Sequence, residues 1–238
     1  MTLANFDGIL LIDKPAGPTS HDIVDIIRNS YRIKKVGHCG TLDPAATGLL
    51  TIVLGKATKL SEKLMSDDKV YVGSMKLGET TNTYDAEGQV ESHQPIPNIS
   101  INTLQEEANK FLGDQMQIPP MVSAIKINGT PLYKLARKGQ NVDRKERFIH
   151  LYKFLISQYK PPFAWFKVAC TKGTYVRSLA HDFGKALGCG GHLSGLRRTV
   201  SGKFKVSNAT TLEELTTLSA TELSKRIIPI LKLTALDK

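Results

Sequence analysis

Residues 37–54 read GHCGTLDPAATGLLTIVL, a glycine-rich bend around a single aspartate that opens into an unbroken apolar run. A short apolar run after turn residues reads as a buried strand, here GLLTIVL over 48–54. The bend before it places Asp43 directly ahead of Pro44, with glycines at 37, 40 and 48. Asp-Pro is an ordinary turn or helix-start pair, because aspartate accepts from backbone N–H groups and proline presets φ. The other reading is that the bend presents a carboxylate for chemistry. The rest of the chain has to choose between the two.

Working outward, GILLID (8–13) reads as a strand ended by the turn KPAGPTS. SHDIVDIIRNSY follows as a helix, with Ser20 placed to cap it and Val24, Ile27 and Tyr31 on one stripe. Beyond the bend, KATKLSEKLM reads as a short helix, KVYVGSMKL (69–77) alternates as a strand, and TTNTYDAEGQ is rich in turn residues. NTLQEEANKFLG (102–113) predicts a helix with a glycine stop. Residues 117–147 carry little core-forming content, with a helix start at Pro131 and a stop at Gly139, and read as an excursion from the core. RFIHLYKFLISQY and AWFKVACT read as strands, TYVRSLAHDFGKALG as a helix ended by Gly188, KFKV as a late strand, and the last 28 residues as a capping helix and tail. There is no internal repeat and no regular βαβ alternation. The pattern predicts an α+β domain over 1–210, its central sheet mixed or mostly antiparallel and flanked by helices, followed by a short helical tail over 211–238.

The net charge of +10 on 238 residues is regional. Residues 1–120 hold 11 Lys and Arg against 15 Asp and Glu, whereas residues 121–210 hold 17 against 3. Such a concentration suits a polyanion, since each neutralised phosphate releases counterions; a solvated basic face is the plainer alternative. No run approaches the roughly 18 apolar residues of a membrane helix, and MTLANFDGIL lacks the basic n-region of a signal peptide, so a cytoplasmic location is expected. Three separated cysteines, Cys39, Cys170 and Cys189, indicate neither a disulfide framework nor a zinc site. The phosphate-loop pattern fails because six residues separate Gly48 from Gly55 and Ala57 follows Lys56. GCGGHLSG (188–195) lacks the dinucleotide fingerprint, GxSxG and HExxH are absent, and the six histidines have no ligand spacing. What remains is a carboxylate, tyrosines and arginines in a basic protein.

Seven blocks in order resemble the TruB-type tRNA pseudouridine synthases: GILLIDKPAGPTSHDIV, VGHCGTLDPAATGLL, KVYVGSMKLG, TYDAEGQV, IPPMVSAIKINGTPLYKLARKG, CTKGTYVRSLAHDFGKALG and HLSGLRRTVSG, covering about residues 8–208. The resemblance implies the pseudouridine synthase catalytic fold and isomerisation of a T-loop uridine of tRNA, position 55 in tRNA numbering, without metal or organic cofactor. It implies Asp43 as catalytic carboxylate, Arg177 as its cationic partner, and Tyr71 as the ring stacked on the target base and the acid or base at C5. A uracil held in a folded loop must leave its stack to meet a carboxylate, and aromatic side chains offset that cost.

By the same resemblance His38 packs against the RNA near the flipped nucleotides, and Tyr175 and Leu196 wall the uracil pocket. Lys14 belongs to a block beside the active-site loop where support outweighs chemistry, and Asp85 is a second acidic position that organises substrate. The 117–147 excursion corresponds to an insertion that grips the T-arm, with Lys126, Lys134, Arg137 and Lys138 on phosphates. Such contacts position without specifying. Cys39 departs from the threonine of several relatives, and too few residues follow position 210 for a complete PUA-type RNA-binding domain. A monomer with tRNA as its partner, and no obligate protein partner, is expected. Two competing readings use the same charge: a tRNA-folding chaperone in which catalysis is secondary, and a guide-dependent catalytic subunit, which calls for a longer C-terminal region.

Overall fold

The computed structural model describes residues 6–123, 125–127, 129–136, 138–140 and 142–234. The chain divides into two compact units, residues 1–71 with 197–238, and residues 72–196.

The first unit is built on β1 (Gly8–Lys14), α1 (Ser20–Tyr31), β2 (Val36–Cys39) and β3 (Thr47–Leu54), followed by a 3-10 turn (Gly55–Leu60), the short α2 (Ser61–Met65) and the start of β4 (Lys69–Leu77). β1 and β3 pair antiparallel from Gly8↔Leu54 to Lys14↔Gly48, and β2 pairs antiparallel on β3. The apolar run 48–54 is buried throughout, as a strand covered on both faces must be. Ile9, Leu11, Leu49, Val53, Leu64 and Phe204 form its core cluster, each such side chain stabilising by roughly 1.5–3 kcal/mol. Helix α1 has the expected buried residues Val24 and Ile27, but its cap is Thr19 and not Ser20. Thr19 Oγ1 accepts from the Asp22 backbone N–H and Asp22 accepts from that of Thr19, a reciprocal capping box.

The second unit holds the rest of β4, the antiparallel pair β5 (Glu79–Thr81) and β6 (Val90–His93), α3 (Ile101–Asn109) and β7 (Gly113–Gln117). It continues through β8 (Lys126–Ile127), β9 (Thr130–Pro131), α4 (Leu132–Ala136), β10 (Arg147–Lys160), β11 (Phe163–Cys170), α5 (Val176–Ala186) and most of β12 (Gly191–Ser201). Its sheet runs β4-β11-β10-β7, with β10 antiparallel to both neighbours. Phe154 and Phe166 on one face of that sheet meet Phe111 and Phe183, the latter on α5. Gln105 on α3 hydrogen bonds the Phe154 carbonyl and the Ile156 N–H, tying the helix to β10.

The chain returns to the first unit through β12, whose Arg197 and Arg198 pair parallel with Thr47 and Gly48. The remaining elements are β13 (Phe204–Lys205), β14 (Thr210–Thr211), α6 (Leu212–Thr217), α7 (Ala220–Arg226), β15 (Ile228–Pro229) and α8 (Ile230–Thr234). The final segment is more than a capping helix: β14 adds to β1 in parallel and β15 adds to it antiparallel. The architecture is the expected α+β class with a mixed sheet. The pattern reading missed β12, because its glycines and paired arginines leave no apolar alternation to mark a strand. It also placed a helix stop at Gly113, where α3 already ends at Asn109 and Gly113 opens β7.

Candidate active site

The bend around Asp43 does not start a helix. The Ala46 N–H donates to the Asp43 carbonyl at 3.1 Å, closing a turn, and β3 begins at Thr47. The helix-cap reading of Asp43-Pro44 therefore falls away.

The bend is held from beneath by three side chains of the same unit. Ser20 Oγ accepts from the Leu42 N–H at 2.9 Å and lies 3.1 Å from the Leu42 carbonyl, to which it also donates. Lys14 is fully buried, and its ammonium donates to the carbonyls of Pro15, Pro18 and Pro44 at 2.8–3.0 Å. Arg198 is 1% exposed; its Nε donates to the Leu49 carbonyl at 2.7 Å and its guanidinium reaches the Gly40 carbonyl at 3.0 Å. Burying a cation costs several kcal/mol unless its hydrogens are satisfied, so each of these groups tolerates enclosure because the loop turns carbonyls toward it. Gly48 makes that approach feasible: its φ is +98°, and a Cβ there would lie 2.3 Å from the Arg198 carbonyl oxygen.

His38, on β2, is partly buried, and burial first, then Arg198 and His21, push its imidazole below the ordinary histidine value. Its Nδ1 is enclosed without a hydrogen-bond partner among the described residues. Tyr71 is buried near the start of β4. Cys39 is buried too, and its thiol is pushed up to about 11, chiefly by burial, so it is no nucleophile at neutral pH. A cavity of about 550 Å³ in this unit is lined by Asp13, Lys14, Thr47, Arg197, Thr211 and Leu212, and none of Asp43, His38 or Tyr71 lines it. There Arg197 makes a bidentate pair with Asp13 at 2.9 and 2.6 Å.

In the second unit the site is organised around Arg177, one residue into α5. Its guanidinium donates to the Val122 carbonyl at 2.8 Å and the Thr83 carbonyl at 3.3 Å, and stands 3.3 Å from the Asp85 carboxylate. Asp85 in turn accepts from Thr83 Oγ1 at 2.5 Å and the Glu87 N–H at 3.1 Å, so the acid that pairs with the arginine is fixed by its own turn. Between Thr83 and Asp85, Tyr84 adopts φ +64° and stacks on His181 of α5, centroids 3.9 Å apart and planes 17° from parallel. Gln117 exchanges two hydrogen bonds with the Tyr175 backbone, and Ser178 donates to the Ile118 carbonyl. The start of the basic insertion is thereby stitched to the helix that carries Arg177.

Tyr175 and Leu196 are both partly exposed in this unit, Lys134 is exposed on α4, and Lys138 is exposed just after it. Arg137 and the side chain of Lys126 lie outside the described residues. Lys14, expected beside the active-site loop in a supporting role, is enclosed beneath it with its ammonium on three carbonyls. Pattern reading did not single out Ser20 or Arg198 as loop anchors; the only signal was that both fall inside blocks of the family resemblance, with no periodicity to mark them.

The TruB family pseudouridylate synthase N-terminal domain model matches residues 28–176. The chain belongs to the TruB family of pseudouridylate synthases. The tRNA pseudouridylate synthase B C-terminal domain model matches residues 177–233. The tRNA pseudouridine synthase B of Opitutus terrae is 49% identical over 224 residues, 94% of this chain and 93% of its own length. That of Syntrophotalea carbinolica is 47% identical over 209 residues, covering 88% and 68%. Among solved structures, a chain of a Cbf5-Nop10-Gar1 complex superposes with a TM-score of 0.74 at 31% identity, over 94% of this chain and 60% of that one. Among the described residues no helix is long and apolar enough to cross a membrane.

Proposed function

We infer that this protein isomerises uridine to pseudouridine in tRNA, at position 55 in the T-loop. The observation that carries the inference is the GTLDP turn: within a family match spanning most of the chain, a lone carboxylate sits on a loop held rigid by Ser20, Lys14 and Arg198. Pre-organisation of that kind suits a group that must meet a reacting carbon in one geometry.

The reaction breaks the N1–C1′ bond, rotates the uracil, and joins C5 to C1′, with the C5 proton leaving and N1 taking one up. Asp43 is the carboxylate that adds at C1′ or C6 and stabilises positive charge as the glycosidic bond opens. Tyr71 stacks on the flipped base and removes the C5 proton. Arg177, its fork fixed by Asp85 and two carbonyls, supplies the cation that the anionic site requires. Tyr175 and Leu196 line the uracil pocket, His38 packs as a neutral ring against the flipped nucleotides, and Lys134 and Lys138 bind T-arm phosphates. The protein works as a cytoplasmic monomer with no bound cofactor.

T-arm RNA tritiated at uridine C5, incubated with wild type and Asp43→Asn without metal or nucleotide, tests this. Tritium release by wild type alone, with both proteins binding, is expected. Binding by both without release by either would make the protein a tRNA-folding factor instead.

A further inference from the structure

The inner face of β10 and β11 is closed by the aromatic packing of Phe154 and Phe166 against Phe111 and α5. The outer face is open. Phe148 is 64% exposed and stands opposite Met116 of β7, itself 55% exposed, while Tyr152 is 55% exposed. A register shift between Leu151 and Lys153 leaves Tyr152 and Lys153 both exposed, where strict alternation would bury one of them. Trp165, the single tryptophan of the chain, shares the outer face of β11 with the exposed Lys167, to judge from the alternating burial of that strand.

Charge says what such a face fits. From Arg147 to Lys172 the chain carries five basic residues and no acidic one. On the neighbouring strand Asp114 is hydrogen bonded to the His150 ring at 2.5 Å. A second copy docked face to face would set like charges against each other, and an ordinary apolar partner would leave the lysines unneutralised. Exposed rings interleaved with cations on a sheet are the arrangement that stacks unpaired bases and tracks a phosphate backbone.

We propose that this outer face binds an unpaired segment of the substrate tRNA outside the T-loop, with bases stacked on Phe148, Tyr152 and Trp165 and phosphates on Lys153 and Lys167. The segment differs from the modified loop because Arg177 rides on α5, which packs on the opposite, inner side of the same sheet. The proposal rests on tRNA as substrate but not on which residues catalyse.

The test compares full-length tRNA, an isolated T-arm hairpin and an unstructured oligoribonucleotide, read by Trp165 fluorescence and by filter binding. Wild type should show quenching with both tRNA and the oligonucleotide. Tyr152→Ala should weaken both by about tenfold, as loss of one stacked base does, while hairpin affinity and tritium release from the hairpin stay unchanged. Tyr152→Phe, which keeps the ring, should restore binding and shows that the loss is not misfolding. Lys153→Ala with Lys167→Ala should lower the salt slope by about 0.7 per lysine. Unchanged tRNA affinity in Tyr152→Ala would overturn the proposal, as would equal weakening for tRNA and hairpin. A concentration-dependent dimer abolished by Phe148→Glu would assign the face to self-association instead. Hairpin activity lost in every protein, wild type included, would count against the isomerase reading and leave the oligonucleotide result standing on its own.

Discussion

The Asp43 bend and the Arg177 turn solve opposite problems with one device. In the first, two enclosed cations, Lys14 and Arg198, grip carbonyls so that a loop can hold up an acid. In the second, an acid and two carbonyls grip an enclosed cation so that a helix can hold it in place. The lesson is that a buried charge need not be the reacting group. Here it is affordable wherever the backbone supplies oriented dipoles, and it then fixes the geometry of something else.

The contrast can be broken most forcefully at Asp43. Asp43→Asn should reduce turnover by at least about 10³-fold at unchanged tRNA affinity, because it removes the proposed reacting group and leaves its supports. Arg177→Lys should follow, with kcat down by about 10²-fold and little rescue over Arg177→Ala, since a point charge cannot engage Asp85, Thr83 and Val122 together. Pre-steady-state rates with T-arm RNA measure both, and wild-type turnover in Arg177→Lys would break the comparison on its second side.

Arg198→Met sharpens the first side. Leaving the Gly40 and Leu49 carbonyls unpaired in a closed site should cost about 3 kcal/mol, a fall of roughly 6–12 °C in Tm by calorimetry, together with slower turnover. A normal Tm would mean that water replaces the guanidinium.

The smallest effect concerns pH. His38 and His181 both titrate below the ordinary histidine value in the folded protein, each first because of burial, with Arg198 and then His21 adding at His38 and Lys185 at His181. An unfolded chain therefore binds protons there first. Their contribution to stability is full above the unfolded value near 6.5 and is lost as pH falls through and below it. Replacing both with Gln should shrink the drop in Tm between pH 7 and pH 5; an undiminished drop would place the acid sensitivity elsewhere.

Much of this was readable in advance, and unevenly. The buried strand 48–54, α1, β10, β11 and α5 were legible because burial imposes a period on the side chains. β12 was not, since part of it is made by pairing with β3, and its arginines face the Asp13 carboxylate and the Leu49 and Gly40 carbonyls, which no local pattern reveals. The last segment misled for the same reason: two-residue strands such as β14 and β15 form because β1, paired along its whole length with β3, has its other edge to offer. Ser20 invited a capping assignment because capping is a local rule. Its actual partner, Leu42, lies 22 residues away.

By itself the sequence determined the mixed α and β composition, the concentration of positive charge, and the family blocks that place Asp43, Tyr71 and Arg177, because periodicity, charge and motif are properties of neighbours along the chain. Only the tertiary structure decided which carbonyls Lys14 grips, that Arg198 serves the loop, that Asp85 pairs with Arg177, and that β10 turns aromatic rings to solvent. Those outcomes depend on which carbonyls and which faces are left unsatisfied after packing, and a one-dimensional pattern holds no record of them.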